Sequence, residues 1–312
     1  MNFVNIKSIK KIKKPEKTYN LHIEDNHNYF ANGMMVANCH KARGENIQKI
    51  STMIGKTKKD LSTMKIGLSG TLPPNLFDQL SVESALGQSH RIISAKELID
   101  LGLATQTSIQ PVILRYNDET RKKVKKMDWH EENKFIIEHE GRIDFISKFA
   151  KKMSTKGNVL VLAKNVSLQN AFYDAIKKDH EHTFLISGSV KGSKRESSRQ
   201  EFDKHSDSIL VGSVAIVSTG LNLKSLKYVI LGQVTKSEIL TIQTLGRAMR
   251  LHDTKESSTI FDIVDDIIYT TRTGREYNNY YLKHFYERQQ AYRKYEFEVA
   301  KPISLNIETD IF

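Results

Sequence analysis

Residues 159–186 read VLVLAKNVSLQNAFYDAIKKDHEHTFLI, and this stretch decides the fold class. Two apolar runs, 159–163 and 183–186, flank a segment with helical periodicity at 167–178. The alternation continues toward the C-terminus, with helical stretches at 194–204 and 237–251 and apolar runs at 209–212, 214–217 and 228–231. Alternating strands and helices are typical of a parallel sheet with crossover helices, so the sequence predicts an α/β fold.

Composition narrows the class of function. The 312 residues include 48 Lys and Arg against 36 Asp and Glu, a formal net charge of +12. This excess favours a polyanionic partner, although a basic surplus can also serve solubility alone. The apolar runs are too short to span a membrane, and the basic first residues lack the apolar block of a secretory signal. A single cysteine excludes an internal disulfide and a cysteine-rich zinc site, and it indicates a reducing compartment.

The patterns upstream of this stretch are less regular. An apolar strand at 112–114 is followed by the charge run 121–126, which we interpret as a solvated linker or hairpin. Helical periodicity then runs from 130 to 153, with an interruption at Gly141. A buried strand is expected at 64–68, ending in a turn.

The first 38 residues differ from the rest in composition and pattern. Lysines crowd the start, interleaved with valine and isoleucine. Two apolar triplets flank Asn32-Gly33, a dipeptide that favours a type I′ turn because both central positions need positive φ. The sequence therefore predicts a small β-rich segment with a hairpin at this dipeptide, too short to hold a core by itself.

A cationic motif lies near the C-terminal end of the alternating region. Residues 243–250 read Gln-Thr-Leu-Gly-Arg-Ala-Met-Arg within a predicted helix. Arg247 and Arg250 lie three positions apart, so both project from the same helix face. Two guanidinium groups on one face suit phosphoryl oxygens, where charge develops during phosphoryl transfer. A solvated basic helix face is the alternative interpretation.

Together with other segments, this motif resembles motif VI of superfamily 2 helicases. Ser218-Thr219-Gly220-Leu221-Asn222 resembles motif V, Ser69-Gly70-Thr71 after a buried strand resembles motif III, and residues 159–165 resemble motif IV. The four segments stand in the order that these helicases have. Residues 39–312 are similar to the UvsW-type helicases of T-even-like phages, which implies RecA-like domains and ATP-driven unwinding and branch migration of DNA.

The resemblance also implies roles for individual residues. Arg247 and Arg250 would act as arginine fingers on bound ATP. The expected nucleotide-binding residues are Gln243, Gly220, Asn222 and His40, and the expected nucleic-acid and coupling residues are Ser69, Thr71, Lys164, Ser213 and Thr219. Many relatives have Asp where this sequence has Asn222, so it departs from the family pattern at the ribose contact.

The sequence lacks residues that a helicase motor needs. It contains no Gly-x-x-x-x-Gly-Lys-Ser/Thr phosphate loop, and the nearest match, at 188–194, has the wrong spacing. It also lacks the Asp-Glu pair of motif II, which holds Mg²⁺. Cys39-His40 stands where a relative would read Asp-Glu-Cys-His, so the similarity begins inside a catalytic motif.

The residues around position 38 carry a different chemistry. The Asn38 side-chain amide can attack its own backbone carbonyl, which forms a succinimide and cuts the chain after Asn38. Cys39 supplies a thiolate able to accept an acyl group from an upstream thioester. His27 titrates near neutrality and could protonate or polarise groups at this junction. Otherwise a lone cysteine is more often a buried small hydrophobic residue, and a lone histidine is more often structural.

This constellation resembles the end of an intein. Residues 18–33 resemble the penultimate intein block, and residues 34–38 followed by Cys39 resemble the splice junction. The resemblance implies a C-terminal split-intein fragment of the Hint type. Ala37 stands where many inteins have His, and Asn20 where many have Asp, which implies slower splicing or reliance on His27 and a partner's histidine.

The C-terminal region is rich in tyrosine. A predicted terminal helix and its flanks carry Tyr277, Tyr280, Tyr281, Tyr292 and Tyr295. Such rings can stack on nucleic-acid bases, but they more often pack a helix onto its own domain. Both interpretations stay open at this point.

These observations predict three segments: a split-intein fragment at 1–38, the C-terminal part of a first RecA-like domain at 39–105, and a second RecA-like domain with a C-terminal helix at 106–312. We expect a precursor that trans-splices with an N-terminal helicase half carrying the N-intein. The joined enzyme would use ATP and Mg²⁺ on branched or single-stranded DNA in phage recombination, replication and repair, in the cytoplasm of an infected bacterial host. This chain itself would hold no metal and contact no membrane. The alternative is a non-catalytic DNA-binding fragment with an inactive intein remnant.

Overall fold

A computed structural model describes residues 75–90, 95–125, 127–186, 192–213, 223, 225–233, 257–270, 273–274, 276–307 and 309, with backbone alone at 95, 192–196 and 269. It also describes the backbone of three short strands at 28–31, 34–38 and 65–68. The chain divides into two compact units. The first unit comprises residues 1–69 and 76–88, and the second comprises residues 70–75 and 89–312.

The first unit contains a three-stranded sheet and one described helix. The elements are β1 (Asn28–Ala31), β2 (Met34–Asn38), β3 (Lys65–Leu68) and helix α1 (Leu76–Leu86). The strands lie in the order β1-β2-β3. β1 and β2 are antiparallel and only residues 32 and 33 separate them, so the predicted hairpin is confirmed.

β2 and β3 pair in the parallel direction. Asn38, the last residue of β2, lies opposite Leu68, the last residue of β3. The carboxyl ends of both strands therefore lie at the same edge of this sheet.

The second unit is built on a large parallel sheet. The strands of this sheet are β4 (Gln106–Arg115), β5 (Asn158–Leu162), β6 (Thr183–Ile186), β7 (Ile209–Gly212), β8 (Leu226–Leu231), β9 (Ser257–Asp266), β12 (Glu298–Val299) and β13 (Ile303–Asn306). Between β9 and β12 in the sequence, β10 (Tyr269–Thr270) and β11 (Glu276–Tyr277) form a separate short antiparallel ribbon. The order is β12-β4-β9-β8-β5-β7-β6, and β13 also pairs with β4. Every described pair in this sheet is parallel, which confirms the predicted α/β class.

Seven described helices accompany this sheet. They are α2 (Ala95–Asp100), α3 (Asp118–Val124), α4 (Trp129–Glu138), α5 (Glu140–Ser154), α6 (Val166–Lys177), α7 (Gly192–Lys204) and α8 (Tyr280–Lys294). The start of α4 is a capping box in which Asp128 Oδ1 accepts from Glu131 N (2.9 Å) and Glu131 Oε2 accepts from Asp128 N (2.9 Å). No helix among the described residues is both long and apolar enough to cross a membrane.

Two hydrophobic cores cover the two faces of the sheet. Successive residues of a strand point to opposite faces. In β5, Val159 and Val161 join the core formed with α4, α5 and α6, whereas Leu160 and Leu162 join the core formed with α7 and α8. All residues of β5 are buried, as expected for a parallel strand with helices on both sides.

The charge run at 121–126 was wrongly interpreted as a linker or hairpin over its described part. Helix α3 includes residues 121–124 of the run. The helix begins here because the Asn117 side chain accepts a hydrogen bond from Thr120 N (2.8 Å), and two acidic residues occupy the first turn.

Two further boundaries differ from the sequence-based predictions. The break between α4 and α5 falls at His139 rather than Gly141, because His139 Nδ1 accepts from Arg142 N (3.2 Å) and caps α5. The strand predicted at 112–114 extends over the ten residues of β4, which pairs along its whole length with β9. β12 and β13, which were not predicted, pair with the other side of β4.

Candidate functional site

The carboxyl ends of the parallel strands form one edge of the sheet in the second unit. There Ala163 N donates to Gly212 O (3.0 Å), which joins the ends of β5 and β7. Lys164 directly follows Ala163, and Ser213 directly follows Gly212 at the end of β7. The Lys164 side chain is exposed and Ser213 is half-buried. Because ligands of open α/β sheets bind at the carboxyl edge, both predicted nucleic-acid residues lie where a ligand is expected.

Two buried glutamines bind the backbone around Lys164. Gln233 Oε1 accepts from Lys164 N (3.1 Å) and Asn165 N (3.0 Å). Gln169 Nε2 donates to Ala163 O (3.0 Å) and to Lys164 O (3.4 Å). The peptide groups on both sides of Lys164 are therefore held, and its side chain is left to solvent.

Gln233 is held in turn by α4 and α8. Its Nε2 donates to Asn133 Oδ1 (3.3 Å) and to the Tyr281 hydroxyl (3.3 Å). That hydroxyl donates to Asn133 Oδ1 (2.8 Å). Burial raises the pKa of Tyr281 to about 12, so the hydroxyl keeps its proton at neutral pH and remains a donor.

A buried ion pair lies at the same edge. Arg142 of α5 donates from Nε to Asp265 Oδ1 (2.7 Å) and from Nη2 to Asp265 Oδ2 (3.1 Å), and its Nη2 also donates to Gly232 O. The Tyr116 hydroxyl donates to Asp265 Oδ1 (2.7 Å). Burial opposes the charge of Arg142, but Asp265 outweighs this and raises the pKa of Arg142. Burial, reinforced by Asp265, raises the pKa of Tyr116 well above its ordinary value.

A second buried carboxylate caps the start of α8. Glu132 of α4 accepts from Tyr280 N (3.1 Å), Tyr281 N (3.1 Å) and Asn279 Nδ2 (3.1 Å). An anion at a helix N-terminus satisfies N–H groups that have no partner within the helix. Burial raises the pKa of Glu132, although these three hydrogen bonds act in the opposite direction.

The five tyrosines named in the C-terminal region differ in burial, and Tyr295 is half-buried against the core that holds Tyr292. Tyr281 and Tyr292 are buried in the two cores, so these two pack the helix onto its own domain. Tyr277 and Tyr280 are exposed. Trp129 contacts Tyr280 edge-on, with 5.7 Å between ring centroids. Base stacking therefore stays a prediction for the exposed tyrosines alone.

Most of the predicted site residues lie outside the described residues. They are His27, Cys39, His40, Ser69, Thr71, Thr219, Gly220, Asn222, Gln243, Arg247 and Arg250. Asn38 lies at the end of β2, where the backbone alone is described. The predicted nucleotide site is among these residues, so its geometry stays a prediction. Within the described part of the chain, no cluster of three or more His, Cys, Asp or Glu could hold a metal ion.

Sequence reasoning missed the polar groups that support the edge. Arg142 lies within the helical period predicted at 130–153, and no sequence-based prediction concerns Asp265. A usable signal exists, because Asp262 and Asp265 interrupt the apolar pattern of a buried strand, and a buried carboxylate needs a partner. Gln233 carries no comparable signal, since its role depends on the fold.

Comparison with known proteins supports the helicase interpretation. Residues 141–252 match the Helicase conserved C-terminal domain family. The ATP-dependent DNA helicase UvsW of Enterobacteria phage T4 is 31% identical over 279 residues, which cover 87% of this chain and 55% of that protein. The chain thus spans about half the length of this curated relative.

Solved structures agree with this similarity. The crystal structure of T4 UvsW superposes with a TM-score of 0.56 at 27% identity, covering 88% of this chain and 54% of that chain. A fragment of a putative HsdR subunit of a type I restriction enzyme from Vibrio vulnificus YJ016 superposes with a TM-score of 0.60 at 14% identity, covering 89% and 49%. At that identity the second likeness shows the fold alone. Residues 141–252 therefore correspond to a helicase C-terminal domain, and the chain shows homology to the phage helicase UvsW over most of its length.

Proposed function

We propose that this chain supplies the C-terminal part of an ATP-dependent DNA helicase, and that a partner chain supplies the rest of the motor by trans-splicing. The similarity to UvsW over 87% of the chain is the observation that supports the helicase part of this proposal. The positions of Lys164 and Ser213 at adjacent strand ends, and the net charge of +12, are consistent with a nucleic-acid phosphate backbone as ligand.

The nucleotide roles follow from the motif residues. Arg247 and Arg250 would stabilise charge on the transferring phosphoryl group, and Gln243 would bind phosphate oxygens. Asn222 and Gly220 would lie near the ribose, and His40 would complete motif II. Guanidinium groups bind phosphate but cannot ligate Mg²⁺, and none of these residues is a carboxylate, so the acids that hold the metal would come from the partner. When bound, ATP and Mg²⁺ would supply the hydrolysis that drives movement along DNA.

Trans-splicing starts in the partner, where the N-intein's first thiol takes the acyl group of the helicase half from its own amide nitrogen and forms a thioester. The Cys39 thiolate then attacks this thioester. A carbon–sulfur bond to Cys39 forms, and the N-intein thiolate leaves. The Asn38 side-chain nitrogen then attacks its own carbonyl, which breaks the bond between Asn38 and Cys39 and frees the Cys39 amine. That amine takes the acyl group from sulfur, which leaves a peptide bond within Asp-Glu-Cys-His. His27 would donate a proton at the Asn38 step.

The parallel pairing of β2 with β3 supports this placement of the junction. Asn38 and Leu68 end paired strands at the same edge, and Cys39 and Ser69 are the next residues in sequence. A motif II strand of the partner that replaced β2 in the same register would place its Asp-Glu opposite Gly67 and Leu68, the last residues of β3.

ATP hydrolysis tests the split motor. The purified chain should show no DNA-stimulated ATPase activity, because its sequence offers neither a phosphate-loop lysine nor the motif II acids. The ligated product should hydrolyse ATP, and Arg247→Ala or Arg250→Ala should reduce its turnover by about 10³-fold or more. Robust hydrolysis by the chain alone would refute the split motor.

Mixing with the partner tests splicing. The probe is a chain that carries a phosphate loop, Asp-Glu and an N-intein, and mass spectrometry follows the products. Wild type should give a ligated helicase and two free intein pieces. Asn38→Ala should leave a branched product at Cys39, whereas Cys39→Ala should abolish ligation and still permit cleavage after Asn38. Absence of ligation with wild type, together with no effect of Cys39→Ala, would contradict the intein assignment.

The second candidate is a non-catalytic DNA-binding fragment with an inactive intein remnant. The net charge of +12 favours it equally. Both candidates predict salt-sensitive DNA binding by the chain alone, with affinity falling about tenfold or more between low and moderate salt. ATPase activity after mixing separates them, since only the split helicase predicts it.

A further inference from the structure

The loop that carries Lys164 is held by two glutamine side chains, one that accepts hydrogen bonds from its N–H groups and one that donates hydrogen bonds to its carbonyls. Gln233 supplies an acceptor to the N–H groups of Lys164 and Asn165, and Gln169 supplies a donor to the carbonyls of Ala163 and Lys164. Gln233 is 4% exposed and Gln169 is 1% exposed. Water therefore cannot readily replace either amide, and removing one would leave buried peptide groups without partners.

A lysine side chain is a flexible stem that ends in a point charge. Its direction depends on where its Cα–Cβ bond points, and hydrogen bonds on both sides of residue 164 fix that bond. Holding a binding group in place lowers the entropy that is lost when the ligand binds. The hydrogen bonds from Gln233 and Gln169 thus fix the point at the carboxyl edge from which the exposed Lys164 side chain extends.

The anchoring extends into the domain. Gln233 Nε2 donates to Asn133 and to Tyr281, which lie on α4 and α8. Tyr281 also donates to Asn133, and Glu132 accepts from Tyr281 N. The position of the Gln233 amide is therefore set by two helices, and the loop does not adjust independently of them.

We propose that Gln233 and Gln169 are positioning residues that hold the Lys164 backbone so that its ammonium binds a nucleic-acid phosphate. This inference rests on the proposed function, because it takes the phosphate contact of Lys164 as given. It adds the means by which the domain keeps that contact in place.

The test measures binding of the full chain to a fluorescently labelled single-stranded DNA oligonucleotide over a range of salt concentrations. Lys164→Ala should weaken binding several-fold and reduce the slope of log affinity against log salt by about one. Gln233→Met and Gln169→Met keep the side-chain length and remove the hydrogen bonds. Each should weaken binding and lower the salt slope in the same direction as Lys164→Ala.

The double variant Lys164→Ala/Gln233→Met decides whether Gln233 acts through Lys164. We expect it to bind no more weakly than Lys164→Ala alone, because the group that Gln233 positions is already absent. The corresponding double variant, Lys164→Ala/Gln169→Met, tests in the same way the hydrogen bonds that Gln169 donates to the carbonyls of Ala163 and Lys164. Either glutamine variant suffices if only one of them folds.

Asn158 provides a matched control at the opposite end of β5. Its buried amide donates to Phe202 O (3.1 Å) and His205 O (2.8 Å), and it accepts from Ser208 N (2.8 Å). Asn158→Leu should lower the thermal midpoint as the glutamine variants do, but it should leave DNA affinity and salt slope unchanged.

The outcomes separate the inference from the proposed function. Weakening by Gln233→Met that adds fully to that of Lys164→Ala, or an equal effect of Asn158→Leu, would overturn the positioning role and leave the phosphate contact intact. If Lys164→Ala leaves binding unchanged, the phosphate contact itself fails and the inference fails with it.

Discussion

Two buried triads of the same composition lie on β9, one on each face of the sheet. The Asp262 triad comprises Asp262, Arg288 and Tyr292, and the Asp265 triad comprises Asp265, Arg142 and Tyr116. In both, an arginine donates twice to the carboxylate and a tyrosine hydroxyl donates once. In the Asp262 triad, these distances are 3.0 and 2.7 Å from Arg288 and 2.8 Å from Tyr292.

The two triads differ in what else they reach. Arg288 and Tyr292 both lie on α8, so the Asp262 triad joins that helix to the middle of β9. In the Asp265 triad, Arg142 also donates to Gly232 O, and Gly232 directly precedes Gln233. The same chemistry thus attaches a helix in one place and supports the carboxyl edge in the other, because Asp265 lies nearer the strand end. The following predictions test this difference.

The largest effect is expected on stability. Arg142→Met and Arg288→Met should each lower the free energy of unfolding by about 3–5 kcal/mol, because each leaves a buried carboxylate without its cation. Urea denaturation measures this. The control is Lys151→Met, which removes an exposed ion pair with Asp179 (2.7 Å) and should cost less than about 1 kcal/mol. A buried arginine variant as stable as this control would contradict the argument.

The tyrosines should contribute less. Tyr116→Phe and Tyr292→Phe each remove one hydroxyl that donates to a carboxylate and retain the ring, so each should cost about 1.5–3 kcal/mol. Burial, reinforced by the adjacent aspartate, raises the pKa of each hydroxyl well above its ordinary value. Urea denaturation at neutral pH compares the stability of each variant with that of wild type. If neither substitution lowers stability, the arginines alone satisfy the carboxylates.

A smaller effect should distinguish the triads in DNA binding. Arg142→Lys keeps the charge but cannot reproduce both contacts to Asp265 and the contact to Gly232. It should weaken DNA affinity about threefold through the edge that holds Gln233, whereas Arg288→Lys should leave affinity unchanged. Anisotropy titrations at fixed salt measure both variants. Equal weakening by the two substitutions would remove the distinction between the triads.

The smallest effect is expected at His180, near the opposite end of the strands. Its ring nitrogens lie within hydrogen-bond distance of Ser154 Oγ (3.1 Å) and Thr183 Oγ1 (3.2 Å). Burial lowers the pKa of His180, so the unfolded chain takes up this proton at higher pH than the folded chain does. Its stabilising contribution is therefore present above the unfolded pKa of about 6.5 and is lost as pH falls through and below it.

Urea denaturation at about pH 7.5 and about pH 5.5 checks this sign, since the two values bracket the ordinary histidine pKa. Wild type should lose more stability between them than His180→Gln, and DNA affinity at neutral pH should be the same for both. A greater loss by the variant would reverse the assigned sign.

The sequence by itself determined the elements that depend on local patterns. Alternating apolar runs and helical periods predicted the parallel sheet, because burial on both faces requires continuous apolar strands. Asn32-Gly33 predicted the hairpin between β1 and β2. The helicase motifs predicted the homology, since they are short and contiguous in sequence. The intein junction rests on the same kind of local signal and stays a prediction.

Tertiary structure alone decided the groups that support the candidate site. Arg142 and Asp265 are 123 positions apart, and Gln233 lies 69 positions from Lys164. No local pattern connects such residues, because the fold brings them together only after the sheet has formed. The same reason applies to the edge strands β12 and β13, which pair with β4 after a long excursion of the chain. Burial then makes each of these polar groups depend on a partner, and that partner is set by strand order rather than by neighbouring sequence.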